Sequence, residues 1–366
     1  MNFDFSDDQK LLKEQVRKFL ADKCPTKVVR RVLDGNESFA DEVWKGLLDL
    51  GIPATGIPEA YGGLGLSPLE LCVIAEEIGR AAAPVPFDSS VVLATEAIKL
   101  TGSEAQKKKW LPLLAEGKAI GTLAVSEGAQ PPKPRTVSTT FGGGRLNGKK
   151  APVADGDVAS FAIVMSKTAM VLVDLNQKGV KKKRVETVDP ARKHAELVFE
   201  DATAEALGNE ADGWRNLERL YDAAAIYFAF AQVGGAEAAM YMARDYALQR
   251  QAFGRAIGSY QAIKHKLADC YVKLELARSN AYYGAMMLTD GGADLPLAAA
   301  AARIAATEAY DFASKENIQT HGGIGFTWEA DTQFHLRRAR LMALNIGGPM
   351  AWKDKLVNRL EQKNAA

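Results

Sequence analysis

Cysteine is scarce in this sequence, and its scarcity limits the kinds of site that the chain can build. The 366 residues contain three cysteines, Cys24, Cys72 and Cys270, and no two of them form a CxxC pair. Such isolated cysteines exclude a cysteine-built metal site and are typical of a reducing compartment. The four histidines also lack the spacing of zinc ligands. The sequence therefore predicts no metal site and a cytoplasmic location.

An excess of positive charge and a long apolar run are also missing. Lys and Arg together number 46 against 45 for Asp and Glu, so no basic surface favours nucleic acid as the main partner. The longest uncharged apolar run, residues 223–236, is too short to span a bilayer. The N-terminal MNFDFSDDQK is acidic, whereas an export signal begins with basic residues. We expect a globular protein without a membrane span or an export signal.

The hydrophobic pattern divides the chain into three segments. Residues 1–118 are typical of helices that are interrupted by glycine and proline. Residues 119–205 contain six or seven short, β-branched or alternating stretches. Residues 206–366 return to helices, which are longer and rich in alanine. The predicted fold is α+β, with an N-terminal helical domain, a small middle β-barrel or sandwich and a C-terminal four-helix bundle.

Local signals predict where some of these elements begin and turn. Ser6 and Gln9 match a capping box, which precedes a helix whose predicted apolar face includes Leu11. In the middle segment, Asn147-Gly148 is the dipeptide that favours a tight hairpin turn. We therefore expect a helix from about Ser6 and a hairpin at Asn147-Gly148.

The stretch RQAFGRAIGSYQAIKH, residues 250–265, lies between two long helical patterns at residues 216–251 and 260–288. A corner between two helices needs a glycine at its turn. It needs neither a fixed cation before the turn nor an amide at the start of the next helix. We therefore expect this corner to have a function besides joining the helices.

With this corner and the later QTHGGIGFTWEADTQFHLRRAR both in view, the sequence resembles the acyl-CoA dehydrogenase family. The stretches IPEAYGGLGLSPLELCVIAEEIGRAAAP, GSEAQKKKWLPLLAEGKAIGTLAVSE and LNGKK occur in the family order, and the similarity covers nearly the whole chain. The resemblance implies FAD as cofactor and an acyl-CoA thioester as substrate, from fatty acid or steroid side-chain β-oxidation. It also implies an electron-transfer flavoprotein as the electron acceptor.

In this family, the corner and the Gln-x-x-Gly-Gly segment of one subunit hold the adenosine diphosphate half of an FAD whose flavin lies in the neighbouring subunit. The resemblance assigns the corner's part to Arg250, Phe253 and Gln261. Arg250 would neutralise pyrophosphate charge with a group that keeps its proton. Phe253 would offer an apolar face to the dinucleotide, and Gln261 would hydrogen-bond to phosphate or adenosine.

The second segment implied by the resemblance is QTHGG. Gln319 would contact the nucleotide, and Gly322 and Gly323 would let backbone N–H groups approach it, because they carry no side chains. The cofactor-binding residues expected from the sequence are therefore Arg250, Phe253, Gln261, Gln319, Gly322 and Gly323.

The chain departs from the family where members carry the carboxylate base that removes the substrate α-proton. One family position for this base falls on Ile346, which cannot accept a proton. The other falls on Ala224-Ala225, before the corner. Glu218 lies six residues earlier and Asp222 is offset by two residues, so neither matches the family position. The catalytic residue is left unassigned, with Asp222 or Glu218 as displaced alternatives.

A second departure lies in the middle segment. Where the family has Gly-Ser-Asp beside the flavin, this chain has a stretch that contains Pro131, Pro132 and Pro134, which lack backbone donors. After LNGKK, the family's aromatic run that packs on the flavin is replaced by APVADGD. Asp155 and Asp157 would be unfavourable neighbours for a reduced flavin.

Three functional hypotheses follow from the retained corner and the missing base. The leading one is the subunit of a heterotetrameric acyl-CoA dehydrogenase, in which a homologous partner chain supplies the flavin pocket and the base. The second is a homo-oligomeric enzyme whose base is Asp222 or Glu218. The third is a flavin-free scaffold or regulatory subunit, in which both glycine-containing segments only stabilise helix packing.

Overall fold

The computed structural model describes residues 5–365, which fold into two compact units. The first, here called the bundle unit, takes the chain up to Val29, Pro68–Ala83 and the chain from Ala225 onward. The second, here called the barrel unit, takes Arg30–Ser67 and Pro84–Ala224. The domain boundaries that the sequence places after residues 118 and 205 stay predictions.

Helices account for most of the chain. The α-helices of the described residues are α1 (Asp7–Lys23), α2 (Thr26–Asp34), α3 (Asp41–Asp49), α4 (Pro68–Arg80), α5 (Thr95–Thr101), α6 (Glu104–Ala115), α7 (Gly213–Gln249), α8 (Gln261–Asp290), α9 (Leu295–His321), α10 (Thr332–Met342) and α11 (Pro349–Ala365). α1 begins with the predicted capping box, in which Ser6 and Gln9 exchange side-chain and backbone hydrogen bonds of 3.2 and 3.0 Å. The helix start predicted at Ser6 is therefore confirmed.

In the bundle unit, α7 and α9 run in the same direction and end at the same end. Three contacts join them, and in each the α9 residue is 75 positions after the α7 residue: Gln232–Thr307, Met242–Asn317 and Tyr246–His321. A constant offset between contacting residues means that the two helices are parallel and in one register. Because α7 ends at Gln249 and α9 at His321, the segments that follow them leave the bundle at one end.

Helices α8 and α10 run in the opposite direction to α9. The contacts that establish this are Lys266–Glu316 and Lys273–Phe312 for α8, and His335–Tyr310 and Met342–Arg303 for α10. In each pair of contacts, a step forward along α8 or α10 is a step backward along α9. Helices α7 to α10 therefore form an up-down-up-down four-helix bundle, which confirms the predicted C-terminal architecture.

Helix α4 crosses α7 so closely that only glycine fits at the crossing. A Cβ atom on Gly79 would lie 1.9 Å from the carbonyl oxygen of Ala231, and one on Gly234 would lie 1.9 Å from that of Glu76. The buried Glu76 side chain is held by ion pairs to Lys13 at 2.5 Å and Arg278 at 2.7 Å. This crossing therefore ties α1, α4, α7 and α8 into one core.

The barrel unit is built on a seven-stranded mixed sheet. Its strands are β1 (Gly121–Ala124), β2 (Thr140–Gly142), β3 (Arg145–Ala154), β4 (Phe161–Met165), β5 (Met170–Asp174), β6 (Val180–Val185) and β7 (His194–Ala206). The strand order is β1-β4-β5-β7-β3-β2, β6 pairs with β7, and the pair β1–β4 is parallel while the others are antiparallel. The chain beyond β1 then meets β3, because Ala151 N–H donates to Ser126 O and Gly128 N–H donates to Ala151 O, both at 2.9 Å. These bonds close the sheet into the small barrel that the sequence predicts.

Two local predictions are wrong. Asn147-Gly148 lies inside β3, where the register with β7 shifts, and the turn that precedes β3 is at Gly143-Gly144, whose φ angles are +57° and +73°. Two consecutive positive φ angles suit a tight hairpin turn, and two glycines adopt them more easily than Asn-Gly. Leu11 on α1 is 54% exposed instead of facing the core.

No helix within residues 5–365 combines the length and the apolar composition that crossing a membrane requires.

Candidate functional site

The corner after α7 is a short β-hairpin. Strands β8 (Gln251–Ala252) and β9 (Arg255–Ala256) pair on either side of Phe253-Gly254, whose φ angles are +51° and +79°. Positive φ at both central residues is the geometry of a type I′ turn. The hairpin is closed at its base by a 2.8 Å bond from Ile257 N–H to Arg250 O. The sequence thus folds a rigid two-residue turn between α7 and α8.

Phe253 at the tip of this hairpin is 97% exposed, although aromatic side chains are usually buried. It also has the left-handed backbone conformation, which is uncommon for a non-glycine residue and costs energy. Both features are unfavourable in the chain as it stands. An aromatic side chain held out in this way is typical of a surface that contacts another molecule.

The two arginines of the hairpin differ in the contacts that their side chains make within the chain. The Arg255 guanidinium lies 4.0 Å from the centre of the Tyr260 ring, and the Tyr260 hydroxyl donates to Ala252 O at 3.0 Å. Arg255 and Tyr260 therefore brace the hairpin. The Arg250 side chain is exposed and, within residues 5–365, has neither an ion pair nor a hydrogen bond. Arg250 is thus the cation of this corner that is available to an anionic ligand.

The segment after α9 is a glycine turn of unusual openness. Gly322 has φ +63° and ψ −139°, a conformation that only glycine adopts readily. Gly323 has no positive φ, and a Cβ atom there would meet no protein atom within 4 Å. The fold therefore explains the glycine at 322 and gives no internal reason for the glycine at 323. An open glycine of this kind suits close approach of a ligand to the backbone.

The structure brings the predicted cofactor-binding residues to one end of the bundle unit. Arg250 and Phe253 follow the end of α7, and Gln261 is the first residue of α8. Gln319, Gly322 and Gly323 lie at the end of α9, which is the same end because α7 and α9 are parallel. All of the polar side chains among them are exposed. Their position is therefore compatible with a shared ligand, and their role as cofactor residues stays a prediction.

The position that the sequence predicts for the family's base, Ile346, lies in the core of the bundle unit. Ile346 is 1% exposed, and its carbonyl oxygen accepts a 3.1 Å bond from the Trp352 indole N–H. Gly347 follows with φ +104°, and a Cβ atom there would lie 3.5 Å from the Trp352 indole nitrogen. A buried isoleucine packed in this way leaves no acidic group at this position.

The two displaced acids lie one turn apart on the first part of α7, within the barrel unit. Asp222 is 6% exposed and Glu218 is partly buried. Burial, together with the negative charge of Glu218, raises the pKa of the neighbouring Tyr221. The position of these acids relative to a substrate stays untested.

An ion pair between the buried Lys150 and the partly buried Glu127 lies in the barrel unit, where Glu127 holds both ends of the proline-containing loop, residues 128–137. The Glu127 carboxylate accepts hydrogen bonds from Ser138 and Thr139, through backbone and side chain, and from Lys150 at 2.7 Å. Although burial alone would raise its pKa, the bonds from Lys150, Ser138 and Thr139 hold the pKa of Glu127 well below its usual range. The sequence alone did not indicate this pair, although Glu127 is the last residue of GSEAQKKKWLPLLAEGKAIGTLAVSE and Lys150 is the last residue of LNGKK.

Asp155 and Asp157 are ion-paired inside the barrel unit. Asp155 bonds to the buried Arg192 at 2.8 Å, and Asp157 bonds to Arg184 at 2.8 Å. Arg192 also contacts Asp88 at 2.9 Å, and these negative neighbours outweigh burial and raise its pKa. The charge that the sequence presented as unfavourable for a flavin is therefore compensated by arginine.

Comparison with protein families identifies the class of this chain. The model of the acyl-CoA dehydrogenase N-terminal domain matches residues 6–118, and that of the C-terminal domain matches residues 211–349. Acyl-CoA dehydrogenase IpdE2 of Mycobacterium tuberculosis is 30% identical over 358 residues, which cover 98% of this chain and 97% of that protein. The chain belongs to the acyl-CoA dehydrogenase family, whose members are oxidoreductases that act on the CH–CH bond of acyl-CoA thioesters.

Solved structures with the same fold include assemblies of two named chains. The ChsE4-ChsE5 complex from Mycobacterium tuberculosis matches with a TM-score of 0.88 and 25% identity over 99% of both chains. A variant of the Tcur3481-Tcur3483 steroid ACAD matches with a TM-score of 0.89 and 28% identity, over 98% of this chain and 99% of that one. The α+β architecture inferred from the sequence is confirmed by this agreement.

Proposed function

We propose that this chain is one subunit of an FAD-dependent acyl-CoA dehydrogenase and holds the adenosine diphosphate half of a flavin whose ring lies in a homologous partner chain. The observation that carries the proposal is Phe253, which is 97% exposed on a hairpin that holds it in an unfavourable backbone conformation. Within residues 5–365, no other side chain covers the ring. Contact with a bound dinucleotide would bury the ring and offset both unfavourable features.

The residues around Phe253 suit the chemistry of a dinucleotide. Arg250 offers a guanidinium that no side chain of the described residues neutralises, and a pyrophosphate is the anion that such a group binds well. Gln261 and Gln319 are exposed amides that can donate and accept hydrogen bonds. At Gly322 and Gly323 a ligand can reach the backbone directly, because no side chain covers it.

The need for a partner chain is inferred from the missing base. Arg250, Gln261 and the backbone at Gly322 and Gly323 would hold the FAD, which would supply the acceptor for the hydride that leaves the β-carbon of the acyl group. The α-proton must go to a carboxylate, and Ile346 cannot take it. The partner therefore supplies the base and this chain positions the far end of the cofactor. The names ChsE4-ChsE5 and Tcur3481-Tcur3483 each join two chains, which supports a heteromeric assembly, and we infer a heterotetramer.

The proposed substrate is an acyl-CoA thioester, and the word steroid in the name of one related structure supports a bulky acyl group from side-chain β-oxidation. The proposed electron acceptor is an electron-transfer flavoprotein, as the resemblance implies. A cytoplasmic location agrees with this assignment and stays a prediction.

The proposal is tested by expressing the chain with and without a homologous acyl-CoA dehydrogenase chain from the same genome. We expect a yellow complex with acyl-CoA dehydrogenase activity from the pair, and neither bound FAD nor activity from this chain alone. Arg250→Ala should remove FAD from the complex, while Arg244→Ala, at an exposed arginine on α7 outside the hairpin, serves as the control. Activity of the single chain would contradict the proposal. A colourless complex would instead support the scaffold reading.

A second function, a homo-oligomeric enzyme with a displaced base, is favoured by one observation. Asp222 is a buried carboxylate on α7, with Glu218 one turn away. A carboxylate is the kind of group that can accept the substrate α-proton. If this reading is right, the purified single chain turns over acyl-CoA, and Asp222→Asn or Glu218→Gln abolishes turnover. An inactive single chain excludes it.

A further inference from the structure

The last contact between α7 and α9, before the two proposed cofactor segments begin, is a pair of stacked rings. The centres of the Tyr246 and His321 rings are 4.1 Å apart, and the ring planes are inclined by 25°. Tyr246 lies one helical turn before Arg250, and His321 directly precedes Gly322. The stack therefore stands where both segments leave the bundle.

Each ring is tied to the segment beside it. The Tyr246 carbonyl oxygen accepts the Arg250 N–H at 2.8 Å. His321 Nδ1 lies 2.8 Å from the Asn317 carbonyl oxygen. Because a carbonyl can only accept, Nδ1 carries the hydrogen, and this bond fixes the orientation of the imidazole. The backbone that leads to Arg250 and the turn that leads to Gly322 are thus both anchored to the same pair of stacked rings.

Core packing alone does not explain this pair. Both residues are partly exposed, whereas Gln232, Thr307 and Asn317 in the other contacts between the two helices are buried. The Tyr246 hydroxyl has no hydrogen-bond partner in the described part of the chain, so the ring itself makes the contact. Helix ends fray readily, and a stack at this point restrains both ends at once.

We propose that Tyr246 and His321 are positioning residues, which fix the spacing between the Arg250 corner and the Gln319–Gly323 segment so that both bind one dinucleotide. This inference rests on the proposed function. Its physical reason is that two binding segments contact one ligand strongly only when their separation is set in advance. Because a misplacement of about 1 Å can cost an enzyme about a hundredfold in rate, we expect a change in this spacing to weaken the shared contacts by at least about tenfold.

The test measures FAD affinity of the complex formed with the partner chain. The cofactor is removed and titrated back while flavin fluorescence is followed, and the melting temperature of the FAD-free complex is measured in parallel. Tyr246→Leu should weaken FAD binding at least about tenfold with little change in the melting temperature. Tyr246→Phe keeps the stack and should bind FAD like the wild type.

Two further variants keep the test decisive. His321→Leu removes the stack from the other side, and the double variant Tyr246→Leu/His321→Leu should lose no more affinity than either single variant, because one contact is removed in each case. Additive losses would overturn the inference, as would a Tyr246→Leu complex that binds FAD normally. Arg250→Ala separates the two proposals: weak binding here with normal binding by Tyr246→Leu refutes only the positioning role. Normal binding by Arg250→Ala refutes the proposed function itself.

Discussion

The segments that follow α7 and α10 each contain a residue for which the sequence predicts a family role, cofactor binding for Phe253 and the position of the base for Ile346, but the two residues differ in exposure. Phe253, at the tip of the hairpin after α7, is 97% exposed. At the same end of the bundle, in the segment after α9, a Cβ atom on Gly323 would meet no protein atom within 4 Å. Ile346 is 1% exposed, and its carbonyl oxygen is bonded to the Trp352 indole. The ring of Phe253 is therefore left uncovered by the described part of the chain, whereas the side chain of Ile346 is already packed within it.

This difference separates what the chain offers from what it has lost. An exposed aromatic in an unfavourable conformation persists when something outside the chain contacts it. A buried isoleucine needs no such contact, because its packing is already favourable. The comparison therefore supports the proposal that this chain contacts a neighbour's cofactor, while core packing occupies the position predicted for its own base.

The largest expected effect comes from restoring an acid at the closed position. Ile346→Glu should lower the free energy of unfolding by about 5 kcal/mol, because it removes a buried aliphatic side chain and buries an unpaired carboxylate. Urea denaturation of the isolated chain measures this loss. Ile346→Val should cost about 1 kcal/mol and serves as the control. A stable Ile346→Glu chain that gains turnover would show that this segment is still a working catalytic position.

A second prediction concerns a substitution that destabilises the bundle unit away from both the hairpin after α7 and the segment around Ile346. Glu76→Gln should lower the free energy of unfolding by about 3 kcal/mol at pH 7, since Lys13 and Arg278 lose their buried partner. FAD affinity of the folded complex should not change, because Glu76 lies at the crossing of α4 and α7 and not at the α7–α9 end. Weaker FAD binding by this variant would mean that the overall stability of the bundle unit, and not the residues at its exposed end, determines FAD affinity.

The same glutamate predicts a pH dependence. Burial alone would raise the pKa of Glu76, but the charges of Lys13 and Arg278 outweigh it, and the pKa lies below its ordinary value. A lowered pKa means that the stabilising ion pairs are fully present above the ordinary value of about 4.3 and are lost as the pH falls through the lowered pKa. Unfolding curves between pH 7 and pH 3 should show this loss in the wild type and a smaller one in Glu76→Gln.

The long helices, their ends and the barrel could be predicted from the sequence alone. The helices expected at residues 216–251 and 260–288 are α7 (Gly213–Gln249) and α8 (Gln261–Asp290), because apolar spacing over so many turns has one interpretation. The glycines of the corner and of QTHGG also indicated where the helices end. The barrel followed from the density of short strands, and its closure at Ala151 confirms it.

Contacts between residues far apart in sequence could not be derived in this way. The hairpin at Asn147-Gly148 was wrong because the shifted register of β3 against β7 is set by strand pairing and not by the dipeptide. The Tyr246–His321 stack joins residues 75 positions apart, and it depends on the parallel register of α7 and α9. Single-sequence patterns specify local conformation, whereas such pairs arise only when the bundle is assembled.

A pair of alanine substitutions sharpens the comparison at the glycine turn. Gly322→Ala should cost about 1 to 3 kcal/mol of stability, because its φ of +63° with ψ −139° is strained for a residue with a Cβ atom. Gly323→Ala should leave stability unchanged or raise it by up to about 1 kcal/mol, because the added methyl meets nothing and the unfolded chain loses freedom. FAD binding by the complex should nevertheless weaken for Gly323→Ala. An unchanged FAD affinity would remove the argument that the open glycine admits a ligand.

The smallest expected change in stability belongs to the residue on which the proposal depends most. Phe253→Ser removes an exposed ring, so the free energy of unfolding of the isolated chain should change by less than about 0.5 kcal/mol. FAD affinity of the complex should fall about tenfold, which corresponds to about 1.4 kcal/mol, because the ring is the largest apolar contact available at the hairpin tip. Leu248 is an exposed apolar residue in the last turn of α7, before the hairpin, so Leu248→Ser is the matched control and should not affect FAD binding. Equal losses for the two variants would show that exposed apolar area in general, and not the ring presented by the turn, contributes to binding.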